Sequence, residues 1–417
     1  MAARLLSRIG CRPAVWSIAI LFVNSATFAD DAAVADPAAA ADSSAATKQS
    51  PMSSLSEEAR RIAAELDRTL PARSEARAMY DDIVGGGPLG PDSGWFPMAA
   101  AKTRFDWTAV KARFDRDGDD AISQEEFAGT PQDFDHLDRD GDGRITEADL
   151  TWTGSAQTLD GGLTLFRMAD RDVDGKITPV EWSDLFARLD RDGQGFLTID
   201  DLRSAFAKSS GGSGEGPSTE TLLRGLLNQE VGSLQPGPAL NEPAPDFTLK
   251  TVDGPRTVTL AEEIGPRPIV LMFGTFTCGP FRAQSGNVEK LARRYQGRAK
   301  FLMVYVREAH PTDGWRMESN DRVGVSVAQP KTYDERVAVA TECQSHLVFS
   351  MPFLVDTIDD RVGSAYSGMP SRLYVIDGEG RVAYKSGRGP FGFKPAEMEQ
   401  SLIFLLAESA RDSVKHP

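Results

Sequence analysis

Two groups of residues in this 417-residue chain have types and spacings that can do chemistry. The first is a set of four acidic twelve-residue stretches: DRDGDDAISQEE from Asp115, DRDGDGRITEAD from Asp138, DRDVDGKITPVE from Asp170 and DRDGQGFLTIDD from Asp190. The second is Cys278, which follows the apolar run PIVLMFG and precedes a helical pattern, and so falls at a strand-to-helix turn. A hard cation such as Ca2+ takes six to eight oxygen ligands, and a twelve-residue loop supplies them from positions 1, 3, 5, 7, 9 and 12. A thiol at a helix start is favoured as its anion by the free amides and the helix dipole, which predicts a low-pKa thiolate nucleophile.

Each acidic stretch fits the EF-hand loop. In the third, Asp170, Asp172, Asp174, the carbonyl of Lys176, Thr178 and a bidentate Glu181 make a complete set around Gly175 at the bend. The first offers Asp115, Asp117, Asp119, the carbonyl of Ala121, Ser123 and Glu126, with Asp120 at the bend, a residue type that tolerates the left-handed conformation. The second has Asp138, Asp140, Asp142, the carbonyl of Arg144, Thr146 and Asp149, and the fourth has Asp190, Asp192, Gln194, the carbonyl of Phe196, Thr198 and Asp201. A closing Asp reaches the ion less easily than Glu, and Gln194 removes a charge, so the fourth loop is expected to bind most weakly. Ile122, Ile145, Ile177 and Leu197 all fall at position 8, where an apolar residue pairs one loop with its neighbour. Asp115 and Asp138 lie 23 positions apart and Asp170 and Asp190 only 20. Such compact pairing predicts a structural or buffering role rather than a switch.

The elements that must position these groups follow from the rest of the chain. Arg4, Arg8 and Arg12 precede an apolar run at 14–23, and small residues lead to Ala29, which reads as a signal peptide over 1–29 and predicts a secreted or periplasmic protein. The run is about half the length of a membrane anchor. Its removal also removes Cys11, leaving Cys278 and Cys343 and at most one disulfide. A formal net charge of -15 argues against nucleic acid and anionic membranes as partners. Residues 30–54 have the composition of a disordered tether. Residues 55–100 read as a short amphipathic helix, ended by Pro71, and a linker. An all-α EF-hand module is expected over 101–207, and a Ser/Gly/Pro-rich linker over 208–240 that joins it flexibly to the last domain. From 241 to 410 apolar strands alternate with helical patterns, which predicts an α/β domain with a βαβ core.

NEPAPDFTLKTVDG at Asn241 resembles the opening of peroxiredoxins and related thioredoxin-fold proteins. FGTFTCGPF, VYVREAHPTDGW, MPFLVDT, MPSRLYVID and YKSGRGPFGF resemble the iodothyronine deiodinase family over about residues 240–407. The resemblance implies a thioredoxin-like fold in which a selenocysteine removes iodine from an aromatic ring, with Cys278 at that position. It implies that His310 and Arg372 grip the two ends of the substrate, that Glu308 relays a proton, that Thr277 matches a Thr of the site, and that Pro370 is the cis-proline facing the nucleophile. Phe281 stands three residues after Cys278, which excludes a C-x-x-C exchange mechanism. Phe276 and Met351 stand where family members carry thiols, so an external thiol reductant is expected, and Cys343 is open as a resolving or an incidental thiol. The reading is an exported calcium-binding protein with a thiol oxidoreductase domain acting on a small, halogenated aromatic molecule. A single-cysteine peroxidase and a catalytically silent calcium-binding scaffold are the alternatives.

Overall fold

The structure, a computed structural model, describes residues 55–415 apart from 88, 91, 152–160, 192, 199–200, 203–204 and 207–216. The expected signal segment, the tether, most of the Ser/Gly stretch and the ligand Asp192 lie outside the described residues.

The described chain opens with α1 (Glu57–Thr69) and α2 (Glu75–Val84), capped by the hydroxyls of Ser56 and Ser74, which accept from the amides of Ala59 and Arg77. Next come β1 (Lys102–Thr103), α3 (Trp107–Phe114), β2 (Ile122–Ser123), α4 (Pro131–Leu137), β3 (Arg144–Ile145) and α5 (Glu147–Leu150), which carry loops one and two. β2 and β3 pair antiparallel with Ile122 opposite Ile145. The expected all-α module is corrected here, because the two position-8 residues bond across the loops as a short ladder. The expected flexible attachment is corrected as well. Phe105, Phe114 and Phe127 place their ring centres 5.8, 5.6 and 6.3 Å from that of Phe404, so the first pair of loops shares the core of the C-terminal domain.

α6 (Gly161–Ala169) and α7 (Pro179–Leu189) flank loop three and bury Ala169, Leu185 and Leu189 together. No strand pair joins loops three and four among the described residues. α8 (Thr219–Leu227) lies in the expected linker, yet its Leu222, Leu223 and Leu226 pack on Ala59, Ile62 and Leu66 of α1 and on Met79 and Ile83 of α2. The amphipathic helix expected before Pro71 thus forms as α1, and with α2 and α8, from stretches otherwise read as linkers, it makes a three-helix cluster. α2 and α8 are short, and each completes its core with residues far away in sequence.

The remaining elements are β4 (Thr248–Thr251), β5 (Thr257–Thr259), α9 (Leu260–Glu263), β6 (Ile269–Gly274), α10 (Gly279–Arg294), β7 (Lys300–Tyr305), α11 (Glu318–Asp321), α12 (Tyr333–Leu347), β8 (Phe353–Val355), α13 (Arg361–Ala365), β9 (Arg372–Ile376), β10 (Val382–Lys385) and α14 (Pro395–Lys415). They build an eight-stranded sheet in the order β1-β10-β9-β6-β7-β8-β4-β5. β6 is buried at every position, as its unbroken apolar run requires of a central strand covered on both faces. It runs parallel to β7, with α10 as the crossover, and antiparallel to β9. β6-α10-β7 followed by β9-β10-α14 is the thioredoxin-like arrangement, and it sets the end of β6 beside the start of β9. Among the described residues no helix is long and apolar enough to cross a membrane.

Candidate active site and metal loops

Cys278 caps α10, with Pro280 in the first turn, where a missing N–H costs nothing. The residue is 1% exposed. Burial pushes its thiol up from the ordinary value, against the Phe281 amide, the Arg282 guanidinium and the Ser371 hydroxyl, which favour the anion. The low-pKa thiolate expected from the helix start is therefore corrected: the helix amide contributes, but desolvation outweighs it. Ionisation requires that the turn admit water or substrate. Cys343, on α12, is buried too, and burial pushes its thiol well up; both thiols are free.

Arg282, one turn into α10, is 2% exposed and went unrecognised in the sequence. Its Nη1 donates to the Phe276 carbonyl and its Nη2 to Asn320 Oδ1 at 2.9 Å, while Asn320 Nδ2 donates to the Thr277 carbonyl at 2.8 Å. The guanidinium thus pins the turn that carries the nucleophile. An arginine four residues after a candidate nucleophile on the same helix was the available signal.

Glu308 is fully buried and draws the surrounding donors together. Its Oε2 accepts from the Thr275 hydroxyl, the Thr277 amide at 3.0 Å and the Thr277 hydroxyl at 2.7 Å, and its Oε1 accepts from the Tyr305 hydroxyl. Thr277 Oγ1 in turn accepts from the amides of Ala309 and His310 at 3.0 and 3.1 Å. Thr277 therefore ties the segment before Cys278 to the segment carrying His310. It acts as a positioning residue, its hydroxyl being fully engaged away from the thiol.

His310 packs edge-on against Trp315, ring centres 4.6 Å apart, with Nδ1 3.1 Å from the Trp315 carbonyl. A carbonyl only accepts, so Nδ1 carries the proton and Nε2 is the free acceptor. Burial lowers the ring's pKa to about 4. At neutral pH the imidazole is thus uncharged, with Nε2 as its acceptor. Trp315 is itself held by its amide, which donates to Glu230 Oε2 at 3.0 Å. Because unfolded histidine titrates near its ordinary value of about 6.5, the unfolded state binds this proton first, and stability is lost as pH falls from about 6.5 toward about 4. Melting temperatures at pH 7 and 4.5 should fall less steeply in His310→Gln than in the wild type; equal falls would contradict the burial of a neutral ring.

The Met369–Pro370 peptide is cis, as the resemblance implies. Ser371 follows it, fully buried, with no hydrogen-bond partner for its hydroxyl and close enough to Cys278 to favour the thiolate. The sequence reading passed over Ser371, although its place directly after the proline marked it.

Arg372 stands opposite Phe273 of β6 and is fully buried. Its Nη2 donates to Glu75 Oε2 at 2.8 Å, and Arg388 Nε donates to the same oxygen at 2.9 Å. Burial opposes ionisation of Glu75, yet the attraction of Arg372 and Arg388 holds its carboxyl at about 2. In this structure α2 thus supplies a carboxylate partner for Arg372 Nη2, while its Nε and Nη1 have no hydrogen-bond partner. His310 and Arg372 stand in separate polar clusters, one built on Trp315 and the other on Glu75.

In three of the loops the carboxylates converge. Oxygens of Asp115, Asp117 and Glu126, of Asp138, Asp140 and Asp149, and of Asp170, Asp172 and Glu181 lie within 4.8 Å of one another in each set. Loop four forms no such set among the described residues; Asp190 and Asp201 there bond to backbone amides of Gln194, Gly195 and Thr198. Loop three fits a cation best. Asp170 is 5% exposed and its Oδ1 has no partner. Burial first, then Asp174, Asp172 and Glu181, push its carboxyl up to about 6, a crowding that a bound cation relieves. Asp120 adopts the left-handed conformation at the first bend, φ 66°, as expected. Val173 also does so, φ 61°, where loops one, two and four place Gly118, Gly141 and Gly193. A β-branched residue is strained there, so Val173→Gly should raise stability by about 0.5–1 kcal/mol. An unchanged denaturation midpoint would show that the loop relaxes without it.

Comparison with known proteins bears on both parts of the chain. The iodothyronine deiodinase family pattern matches residues 219–403, and the EF-hand pattern matches 132–151 and 164–185. The Thyroxine 5-deiodinase of Gallus gallus is 35% identical over 160 residues, 38% of this chain and 60% of that protein. The Type I iodothyronine deiodinase of Xenopus laevis is 34% identical over 134 residues, 32% of this chain and 51% of that protein. The chain thus spans about half the length of the curated relatives it matches. A solved structure of a putative thiol:disulfide interchange protein DsbE from Chlorobium tepidum aligns at 20% identity and a TM-score of 0.29, over 40% of this chain and 98% of that one. With Cys278, His310 and the cis-proline all falling in the matched region, the chain carries an iodothyronine deiodinase domain at its C-terminal end, preceded by EF-hand segments.

Proposed function

We propose that the C-terminal domain is a thiol-dependent reductase that removes halogen from an aromatic ring, with Cys278 as nucleophile. The observation that carries this reading is the joining of Cys278 and His310 through Thr277, beside cis-Pro370, inside the deiodinase-like region. In the balanced reaction the sulfur attacks the iodine of Ar–I. The S–I bond forms as C–I breaks, and the ring carbon takes a proton. One thiol then displaces iodide to give a mixed disulfide with Cys278, and a second thiol releases the cysteine. The net change is Ar–I and two thiols to Ar–H, a disulfide and HI. Ser371 faces the thiolate, Arg282 holds its turn, and His310 Nε2 accepts a hydrogen bond from a phenolic substrate.

Calcium belongs to the same proposal: loops one to three hold it with the side chains named above, and it neutralises their crowded carboxylates. Export from the cell, with cleavage after Ala29, completes the reading. Iodide release from an iodothyronine with excess dithiol, measured beside peroxide consumption, tests the enzyme. Rapid peroxide turnover without iodide would assign a peroxidase instead.

A further inference from the structure

The third loop is pressed onto the helix that bears the nucleophile. Its bend residue Gly175 lies against α10 so closely that a Cβ there would overlap the Arg282 carbonyl and Ser285 Oγ, and a Cβ on Gly286 would overlap the Gly175 carbonyl. Two glycines let the two backbones touch. Ser285 Oγ lies 2.7 Å from the Asp174 carbonyl and 2.7 Å from that of Arg282, one proton serving both. Lys176, the residue whose carbonyl takes position 7, extends its Nζ to the Leu347 carbonyl at the end of α12, 2.8 Å away. Loop three is thereby fastened to both helices that carry the chain's buried thiols.

From this contact a short path leads to the nucleophile. The main chain of Arg282 meets the loop, and its side chain pins the carbonyl of Phe276 and, through Asn320, that of Thr277, the two residues before Cys278. At the other end, oxygens of three carboxylates lie within 4.8 Å of one another, with Oδ1 of the buried Asp170 unpartnered, an arrangement that suits a cation. We propose that a calcium ion in the third loop braces the turn of Cys278 through α10, so that calcium occupancy governs how readily this cysteine is uncovered. The proposal rests on reading loop three as a calcium site and Cys278 as the reactive thiol. The coupling is reciprocal: uncovering the turn of Cys278 must weaken calcium in loop three by the same factor by which calcium opposes the uncovering.

The test is the rate of Cys278 alkylation by iodoacetamide in the full chain, resolved by peptide mass spectrometry, with calcium and with a chelator. Calcium should slow the reaction at least about fivefold, the lower end of ordinary coupling strengths. Gly286→Ala is the informative variant. Alanine favours the helix, so the protein should fold, but the added methyl displaces the loop. The calcium effect on the rate should then shrink below about twofold, with a matching loss of affinity in calorimetry. Asp172→Asn should remove one calcium-binding event and the calcium effect together. If that event disappears in Asp172→Asn while calcium leaves the wild-type rate unchanged, the coupling is refuted and the site stands. If no binding event is lost, the assignment of the loop falls, and the coupling with it. A calcium effect that persists in both variants overturns the path through Gly175 and Gly286.

Discussion

Glu75→Ala is expected to cost about 3–5 kcal/mol of stability, the range for breaking a buried ion pair by removing one partner. The carboxylate answers two fully buried guanidiniums, those of Arg372 and Arg388, and Lys385 Nζ lies 4.0 Å from its other oxygen. Removing it leaves like charges packed together out of water. Part of Arg388 stays satisfied, since Nη1 donates to the Ser233 carbonyl and Nη2 to Ser367, so the loss falls hardest on Arg372. Glu75→Gln keeps the shape and one acceptor and should cost less than alanine. Guanidinium unfolding of the two variants measures this. A loss below about 1 kcal/mol, as seen for exposed pairs, would mean that the helical cluster detaches and lets water reach the arginines.

Cys278→Ser is expected to lower reductive turnover by on the order of 10⁴-fold or more, as removal of an essential nucleophile does. On the proposed reading, in which the ring accepts one hydrogen bond from substrate and leaves the sulfur in place, His310→Ala should lower it by only about tenfold. Ser371→Ala should act differently from both. It removes a donor to the thiolate, so it should move the rate's pH dependence upward while leaving the plateau nearly unchanged.

The parts legible in the sequence are those whose geometry is local. A twelve-residue loop states its ligands in order, so the carboxylate sets of loops one to three assemble where their spacing requires. The place of Cys278 at the end of an apolar strand, and of Pro370 before β9, is local in the same sense. What the sequence hides is carried by partners far apart. Arg372 and Glu75 are separated by 297 positions, and no local pattern on either marks the pair. The state of the Cys278 thiol depends on a contest between helix amides, which adjacency reveals, and desolvation, which only the assembly of the buried core around it decides. The attachment of loops one and two to the sheet domain was hidden for a similar reason. Phe114 and Phe127 carry no local sign that their rings meet Phe404, which lies nearly 280 positions or more further on and packs 5.6 and 6.3 Å from them. The strain at Val173 was visible, since the other three loops place glycine there, but position 4 supplies no ligand and drew no attention.

The central claim, that Cys278 takes halogen from an aromatic ring, is tested most directly by a single turnover without reductant. The full chain is mixed with a several-fold excess of a ring-labelled iodothyronine, with no dithiol present, and the deiodinated ring product is counted. Wild type should form close to one product per Cys278 and stop, with release of iodide only when a thiol is added, while Cys278→Ser forms none. Equal product from both proteins, or none from a wild type whose Cys278 is alkylated in the same preparation, would contradict the claim.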